Sequence, residues 1–358
     1  MIAPAIHGDE HWKPDDVVPF GIGDVNPSGS FVHVLDDASL DIALRELDTI
    51  TDFTAYLTKK EALVRSGKLI VAGGEEDLVA YYMTHINGRG EHDFTMPDGS
   101  SLGPKDSIGL QTGFYADLVR NKKYLAKKKE DQMSYVWDHL IEAFTTNILN
   151  GTTILPDGRP FVLSEIQEGV RHMAIVPRHI RRILGASMLD AFEKAKTTDR
   201  FTRAFLPEPE GEDQGTGYFL MTLAPPGFEL AGGYEQYCSV RRAMLETYAL
   251  AFLQKHPRLK VVVGIATEPP SEDSKAGSSE DLIVVPMPEW SPALSKRLEE
   301  KKRLFNIVQP RQYTEYAIQS DEFPESSQQH GRADFGTLNR KQRRAKVAEE
   351  RKRTQKGK

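Results

Sequence analysis

Three carboxylates lie within seven residues of this sequence, at Glu46, Asp48 and Asp52. They belong to the segment ASLDIALRELDTITDFTAYL, in which apolar residues cover most of a helical circumference. A helix of this kind is central in a fold, and burial raises the pKa of its carboxylates. Such groups perform acid–base catalysis or bind divalent metal ions. One interpretation is therefore a metal-dependent hydrolase, such as a nuclease, with these three residues as catalytic groups.

The polar side of the same helix supports a different interpretation. Asp41, Arg45, Asp48 and Asp52 fall in a narrow sector of a helical wheel. Such a stripe could line an interface with a basic partner, which would make the protein an interaction component. It could equally be a solvated edge in which Arg45 pairs with its acidic neighbours, because charges four residues apart meet on a helix surface.

A second group of carboxylates follows a glycine pair in the segment LIVAGGEEDLVAYY (69–82). A glycine turn between a strand and a helix often holds a phosphate, because free backbone N–H groups point at the anion. Here Glu75, Glu76 and Asp77 occupy the first helical turn, where they would repel phosphate and stabilise the helix end instead. We therefore expect a capped helix without a bound cofactor, and the three carboxylates are candidate ligands for a divalent metal ion.

Arginines cluster in the segment RHMAIVPRHIRR (171–182). Arg178, Arg181 and Arg182 share one side of a predicted helix, from which they could hold phosphates through bidentate hydrogen bonds. They could instead form ion pairs with carboxylates of the same chain, whose first 339 residues are acidic on balance. The sequence leaves both interpretations open.

The strongest charge pattern lies in residues 340–358, which contain ten Lys and Arg against two Glu, a net charge of +8. The chain as a whole carries −6, so residues 1–339 carry −14. Flexible Lys and Arg residues attract polyanions without sequence specificity. The candidate contact residues are Arg340, Lys341, Arg343, Arg344, Lys346, Arg351, Lys352 and Arg353.

This basic segment predicts contact with nucleic acid, with a ribosome or with an acidic protein. Two alternatives need no partner: the segment could lie across its own acidic body, or it could serve solubility alone. A binding or accessory protein is the main functional hypothesis. The metal-dependent hydrolase and the protein-interaction component are the alternatives to it.

The segment 268–281 could hold a metal ion but lacks one diagnostic group. The loop 268–280 joins two strand patterns, and it and the strand that follows supply five carboxylates, at Glu268, Glu272, Asp273, Glu280 and Asp281. A two-strand nuclease core also needs Glu-x-Lys on an apolar strand, where the lysine steadies the attacking hydroxide. That pattern is absent from these strands, so an acidic surface loop is the default expectation.

The composition fits a protein with a conventional hydrophobic core. Hydrophobic residues make up 39% of the 358 residues and charged residues 27%. The single cysteine, Cys238, excludes an internal disulfide and fits a reducing compartment. The sequence shows neither a secretory signal pattern nor an apolar run long enough to span a bilayer, so we expect a cytoplasmic protein without membrane contact.

Helix and strand patterns alternate along the chain, with a long helix over about 40–64 and strands such as FVHVL (31–35), KLIVA (68–72) and YFLMTLA (218–224). This interleaving indicates an α/β class, either mixed α/β or α+β, with a flexible basic C-terminal tail. The expected organisation is an irregular lead-in at 1–30, α/β lobes at 31–150 and 151–308, a linker at 309–339 and a basic tail at 340–358.

Overall fold

The computed structural model has helices and sheets interleaved along the chain, which confirms the predicted mixed α/β class. Most of the lead-in and all of the linker and the basic tail lie outside the described residues. Among the described residues, no helix combines the length and the apolar character that a membrane crossing requires. The described residues are 2–4, 31, 33–71, 73–88, 91–110, 112–150, 163–195, 198, 200–206, 215–224, 233–268 and 280–307.

Two short pairs of parallel strands and five helices form the described part up to residue 131. In chain order they are β1 (Ile2–Pro4), β2 (His33–Leu35), α1 (Asp37–Glu46), α2 (Ile50–Arg65), β3 (Leu69–Val71), α3 (Glu75–Thr84), β4 (Ile108–Leu110), α4 (Phe114–Leu118) and α5 (Lys122–Asp131). β1 pairs with β2, and β3 with β4. Their helices share one apolar cluster, in which Tyr56 and Val79 are completely buried.

The prediction of one continuous helix over 40–64 is wrong, because the structure divides it into α1 and α2. Leu47 leaves the helical conformation, with φ −116° and ψ 60°. Thr49 then begins α2 as its N-cap, and its hydroxyl oxygen accepts a hydrogen bond from the Asp52 N–H at 3.1 Å. A threonine in this position satisfies a free N–H group at a helix start. The wheel that predicted a continuous acidic stripe therefore does not apply across the break.

The remaining described part folds around a four-stranded sheet. Its elements are a 3-10 turn (Gln132–Ser134), α6 (Tyr135–Asn150), α7 (Leu163–Ala174), α8 (Arg178–Ala195), β5 (Arg200–Phe205), β6 (Thr216–Leu223), α9 (Gly233–Lys255), β7 (Val261–Thr267), β8 (Glu280–Pro286) and α10 (Pro292–Leu304). The strand order is β5-β6-β7-β8. β6 and β7 are parallel, and the outer strands run antiparallel to them. Helix α9 supplies the crossover that two adjacent parallel strands require.

Alternating side chains on β6 contact two separate helical layers. Tyr218 and Leu220 belong to the apolar cluster of α6, α7 and α8. Phe219 and Met221 belong to the cluster of α9. This alternation follows from the two-residue period of a strand, and it places the sheet between helices on both faces. Trp137 of α6 lies in the first of these clusters, so α6 packs on the four-stranded sheet. The division of the chain into two lobes near residue 150 stays a prediction.

Two strands lack a clear local signal in the sequence. β4 has only three residues and lies within a polar stretch, and β5 has the sequence RFTRAF, with two arginines. Their pairing partners lie elsewhere along the chain, β4 with β3 and β5 with β6. The partner strand, rather than the local pattern, selects the extended conformation at such positions.

Candidate functional site

Glu46, the last residue of α1, is a buried carboxylate surrounded by donors. It accepts hydrogen bonds from the hydroxyls of Tyr115 at 2.8 Å and Tyr124 at 2.9 Å, and it lies 2.8 Å from the Lys128 ammonium. Burial alone would raise the pKa of Glu46, but the bonds from Lys128 and the two tyrosines outweigh burial and lower that pKa. The carboxylate is therefore ionised and bound by groups of its own chain.

Asp48 lies in the break between α1 and α2, Asp52 lies in the first turn of α2, and both bind a different residue. Asp48 Oδ1 lies 2.7 Å from Arg178 Nε, and Asp52 Oδ2 accepts a hydrogen bond from the Arg178 backbone N–H at 2.8 Å. Burial raises the pKa of Asp48, and the Arg178 charge opposes that rise. The structure thus brings two of the three predicted catalytic carboxylates to one of the predicted phosphate-binding arginines, and it places Glu46 in a separate cluster.

The three predicted phosphate-binding arginines are all buried. The side chains of Arg178, Arg181 and Arg182 are 9%, 7% and 5% exposed. Arg178 and Arg181 both bind Asp138, at 2.5 Å and 2.6 Å, and Arg182 lies 3.4 Å from Asp131. A buried cation needs such partners, because an uncompensated charge is costly inside a protein. Of the two interpretations left open by the sequence, ion pairing within the chain is the arrangement in the structure.

The first turn of α3 contains the second predicted group of carboxylates. Gly74 is the N-cap and makes no side-chain hydrogen bond there. Glu75 lies 2.5 Å from the Lys60 ammonium and accepts a hydrogen bond from the Tyr56 hydroxyl. Burial raises the pKa of Tyr56 well above its ordinary value, and the Glu75 charge adds to that effect, so the hydroxyl stays protonated and donates. The charge of Glu75 is thus neutralised within the chain.

Asp77 and Glu76 do not share the partners of Glu75. Asp77 is 1% exposed and accepts hydrogen bonds from the backbone N–H groups of Tyr115 at 2.8 Å and Gly113 at 3.3 Å. The Glu76 carboxylate lies beside Gly74, where an added Cβ would collide with it. Among the described residues, no group of three or more His, Cys, Asp or Glu side chains is placed to hold a metal ion. The predicted metal ligands therefore share no coordination point in that part of the chain.

A cavity of about 380 Å³ lies beside the first turn of α3. Its polar lining is the ion pair of Lys60 and Glu75, which carries no net charge. Glu76 and Asp77 of the same helical turn add negative charge beside this ion pair. The lining residues are Lys60, Val64, Leu69, Gly73, Gly74, Glu75 and Leu78.

A polar cluster that the sequence analysis missed lies at the carboxyl ends of β6 and β7. Arg241 of α9 is completely buried, with Nε 2.7 Å from Asp281 and Nη1 3.3 Å from Glu268. The sequence marks both carboxylates as part of a candidate metal-binding segment. Arg241, which binds both carboxylates, lies 40 positions before Asp281 and 27 positions before Glu268. Neither spacing belongs to a known motif, so the sequence alone does not reveal this cluster. The cation at these two carboxylates is the guanidinium of Arg241.

Helix α10 presents a cationic surface that the sequence analysis also missed. Leu298 is buried, whereas Lys296, Arg297 and Arg303 are exposed and Lys301 is half-exposed. Within the described residues, none of these four cationic side chains forms an ion pair or hydrogen bond. The run SKRLEEKKRL is the signal that could have revealed this surface. Which of its cations pair internally depends on the helix packing.

The predicted polyanion-binding residues from Arg340 to Arg353 lie outside the described residues, so that prediction depends on the charge pattern alone. The exposed cations of α10 precede these residues in the chain, with 35 residues between Leu304 and Arg340. Searches with protein-family models, against curated proteins and against solved structures each found no match to this chain. A functional assignment therefore depends on the chemistry of the chain itself.

Proposed function

We propose that this protein is a non-catalytic binding or accessory protein whose residues 340–358 contact nucleic acid. The observation that carries the proposal is the separation of charge along the chain, −14 in residues 1–339 and +8 in residues 340–358. Lys and Arg side chains in such density replace the counterions of a phosphate backbone, and the release of those counterions favours binding.

The ion pairs of the folded body support this assignment of the contact to the basic segment. Arg178, Arg181 and Arg182 have the spacing of a phosphate-binding group, but carboxylates of the same chain already bind them. Their burial would also prevent a phosphate backbone from reaching them. The excess positive charge that a polyanion requires therefore lies in another part of the chain.

The same pairing supports a binding role over hydrolysis. Glu46 and Asp48 contact Lys128 and Arg178, respectively, and Glu75 contacts Lys60. A catalytic carboxylate needs an open position toward a metal ion or a substrate proton. These three carboxylates have cationic partners in that position instead, and Asp52 and Asp77 accept backbone N–H groups of their own chain.

Nucleic acid fits the basic segment better than an acidic protein does. Residues 340–358 contain ten cations but only three aliphatic side chains, Ala345, Val347 and Ala348. Protein interfaces depend on apolar and aromatic anchors that fill pockets. A phosphate backbone needs no such anchor, because closely spaced charge alone supplies most of the non-specific affinity.

The proposal is tested by measuring how binding depends on salt. A fluorescent single-stranded RNA of about 30 nucleotides is titrated with the full chain over a series of salt concentrations. We expect log K to fall linearly with log salt, and residues 340–358 should contribute up to about 7 to the magnitude of the slope if all ten cations meet phosphates. Deletion of 340–358, or replacement of its eight candidate residues with Gln, should remove most of that slope.

A truncated chain that binds RNA as tightly as the full chain, with an equal slope, would contradict the proposal. The Gln variant is the control for length, because it retains every residue position. A poly-Glu peptide serves as the acidic-protein competitor. The peptide and the RNA are compared at equal concentrations of negative charge. If the peptide displaces the RNA and binds the chain as tightly as the RNA does, the partner is an acidic protein and the nucleic-acid assignment is wrong.

A further inference from the structure

The exposed cations of α10 share one side of the helix. At 100° per residue, Lys296, Arg297, Lys301 and Arg303 occupy an arc of roughly 160°, which excludes the direction of the buried Leu298. The exposed Glu300 lies within the same arc, so this surface carries four positive charges and one negative charge. From Lys296 to Arg303 the helix rises about 10 Å. One strand of a nucleic-acid duplex carries a phosphate about every 3.4 Å along its axis, so this surface spans about three phosphates.

Ordinary structural roles do not account for all of these charges. Lys301 and Arg303 lie in the last turn of α10, where cations interact favourably with the negative end of the helix dipole. Lys296 and Arg297 precede that turn, and the dipole gives no reason for their charge. Glu299 pairs with Lys302 at 2.7 Å, so one acidic residue of the helix is already neutralised. Glu300 is the remaining carboxylate of the helix, against four cations.

We propose that the cationic surface of α10, formed by Lys296, Arg297, Lys301 and Arg303, is a second phosphate-contacting site for the nucleic acid that residues 340–358 bind. The inference rests on the proposed function and assigns part of that contact to the folded body. The two basic regions lie on one chain, with 35 residues between Leu304 and Arg340. Linked sites reinforce each other, because the first contact raises the effective concentration of the second.

A second set of exposed cations provides a matched control. Arg120, Lys122, Lys123 and Lys129 lie at and just before α5, are exposed, and form no side-chain ion pair within the described residues. Replacing these four with Gln changes the net charge of the chain by the same amount as replacing the four cations of α10. The two quadruple variants therefore separate a local contact from a general effect of net charge.

The experiment measures the RNA-binding slope for the full chain, the α10 variant (K296Q, R297Q, K301Q and R303Q) and the α5 control variant, each with and without residues 340–358. In the full chain we expect the α10 variant to reduce the magnitude of the slope by about 2 to 3, since each lost phosphate contact removes about 0.7 to 0.9. We expect the α5 control to change the slope by less than about 0.5. Urea midpoints of all variants should stay close to that of the unmodified chain, because each replacement removes an exposed or half-exposed charge that has no ion-pair partner among the described residues.

The outcomes separate the two proposals. An α10 variant with the slope of the unmodified chain would overturn this inference, whatever the deletion of 340–358 does. Equal losses in the α10 and α5 variants would also overturn it, because net charge would then be the cause. A deletion of 340–358 without effect, combined with a loss in the α10 variant, would contradict the proposed role of the basic segment and retain α10 as the contact.

Discussion

Arg178 shows how single residues of the folded body neutralise each other over long sequence distances. Its side chain binds Asp48 at the junction of α1 and α2 and Asp138 of α6, and donates to Ser134 Oγ at 2.8 Å. Removing one member of such a group leaves a buried charge without a partner, which is strongly destabilising. These ion pairs therefore stabilise the packing of the α1–α2 junction against α6 and α8.

Glu46 carries a prediction about pH. Its pKa in the folded protein lies below the ordinary value of 4.5, because the bonds from Lys128 and the tyrosines outweigh burial. A carboxylate with a lowered folded pKa adds stability above its unfolded pKa and loses that stability as the pH falls through the folded pKa. We expect Glu46→Gln to lower the free energy of unfolding by about 2 kcal/mol at neutral pH, and this difference should shrink below about pH 4.5.

The measurement is urea unfolding from pH 7 down to about pH 3, compared between the unmodified chain and the variant. Glu61→Gln is the control, since Glu61 pairs with Arg65 on the surface of α2 and is 36% exposed. Its effect should remain below about 0.5 kcal/mol across the range. A Glu46→Gln difference that stays constant with pH would show that the charge of Glu46 contributes nothing.

At the scale of elements, α8 approaches the 3-10 turn so closely that one position requires glycine. A Cβ added at Gly185 would overlap the carbonyl oxygen of Met133, which is a backbone atom. The turn can move only if its neighbours move, so the overlap is not relieved by a side-chain rotation. We expect Gly185→Ala to lower the free energy of unfolding by about 2 kcal/mol, measured as a shift of the urea midpoint at constant m-value.

Gly88→Ala is the matched control for this substitution. An added Cβ at Gly88 meets nothing within 4 Å, and its φ lies outside the left-handed region. The control should change stability by less than about 0.5 kcal/mol. Equal effects of the two substitutions would mean that backbone entropy, rather than the contact between α8 and the turn, controls the result.

The helix boundaries also show which local sequence patterns are sufficient to predict the end of a helix. Helices α7 and α8 lie on either side of Pro177, as their apolar periodicity predicts. The break at Thr49 is not visible in the same way, because the apolar pattern continues through it and a single N-cap side chain competes with helix continuation. The wheel that grouped Asp41 with Asp52 failed for this reason.

At the scale of the whole molecule, the question is whether residues 340–358 contact the acidic body or a partner. We expect deletion of this segment to leave the urea midpoint unchanged, both at about 50 mM and at about 500 mM salt, because exposed ion pairs contribute about 0–1 kcal/mol and the segment has little apolar surface to bury. The comparison uses the full chain and residues 1–339 under matched conditions.

A loss of stability on deletion at low salt that disappears at high salt would contradict this expectation. It would indicate that the basic segment lies across the body of its own chain, which is the alternative that needs no partner. The Gln variant of the eight candidate residues separates the contribution of charge from that of chain length, because only charge is sensitive to salt.

By itself, the sequence determined the mixed α/β class, most helices, the central strands and the separation of charge, because these depend on local periodicity and composition. Only the tertiary structure decided which charges meet, such as Arg178 with Asp48 across 130 positions and Arg241 with Asp281 across 40. An ion pair depends on distance in space, and separation along the chain carries no information about that distance. For this reason the carboxylates grouped by spacing acquired separate partners in the fold.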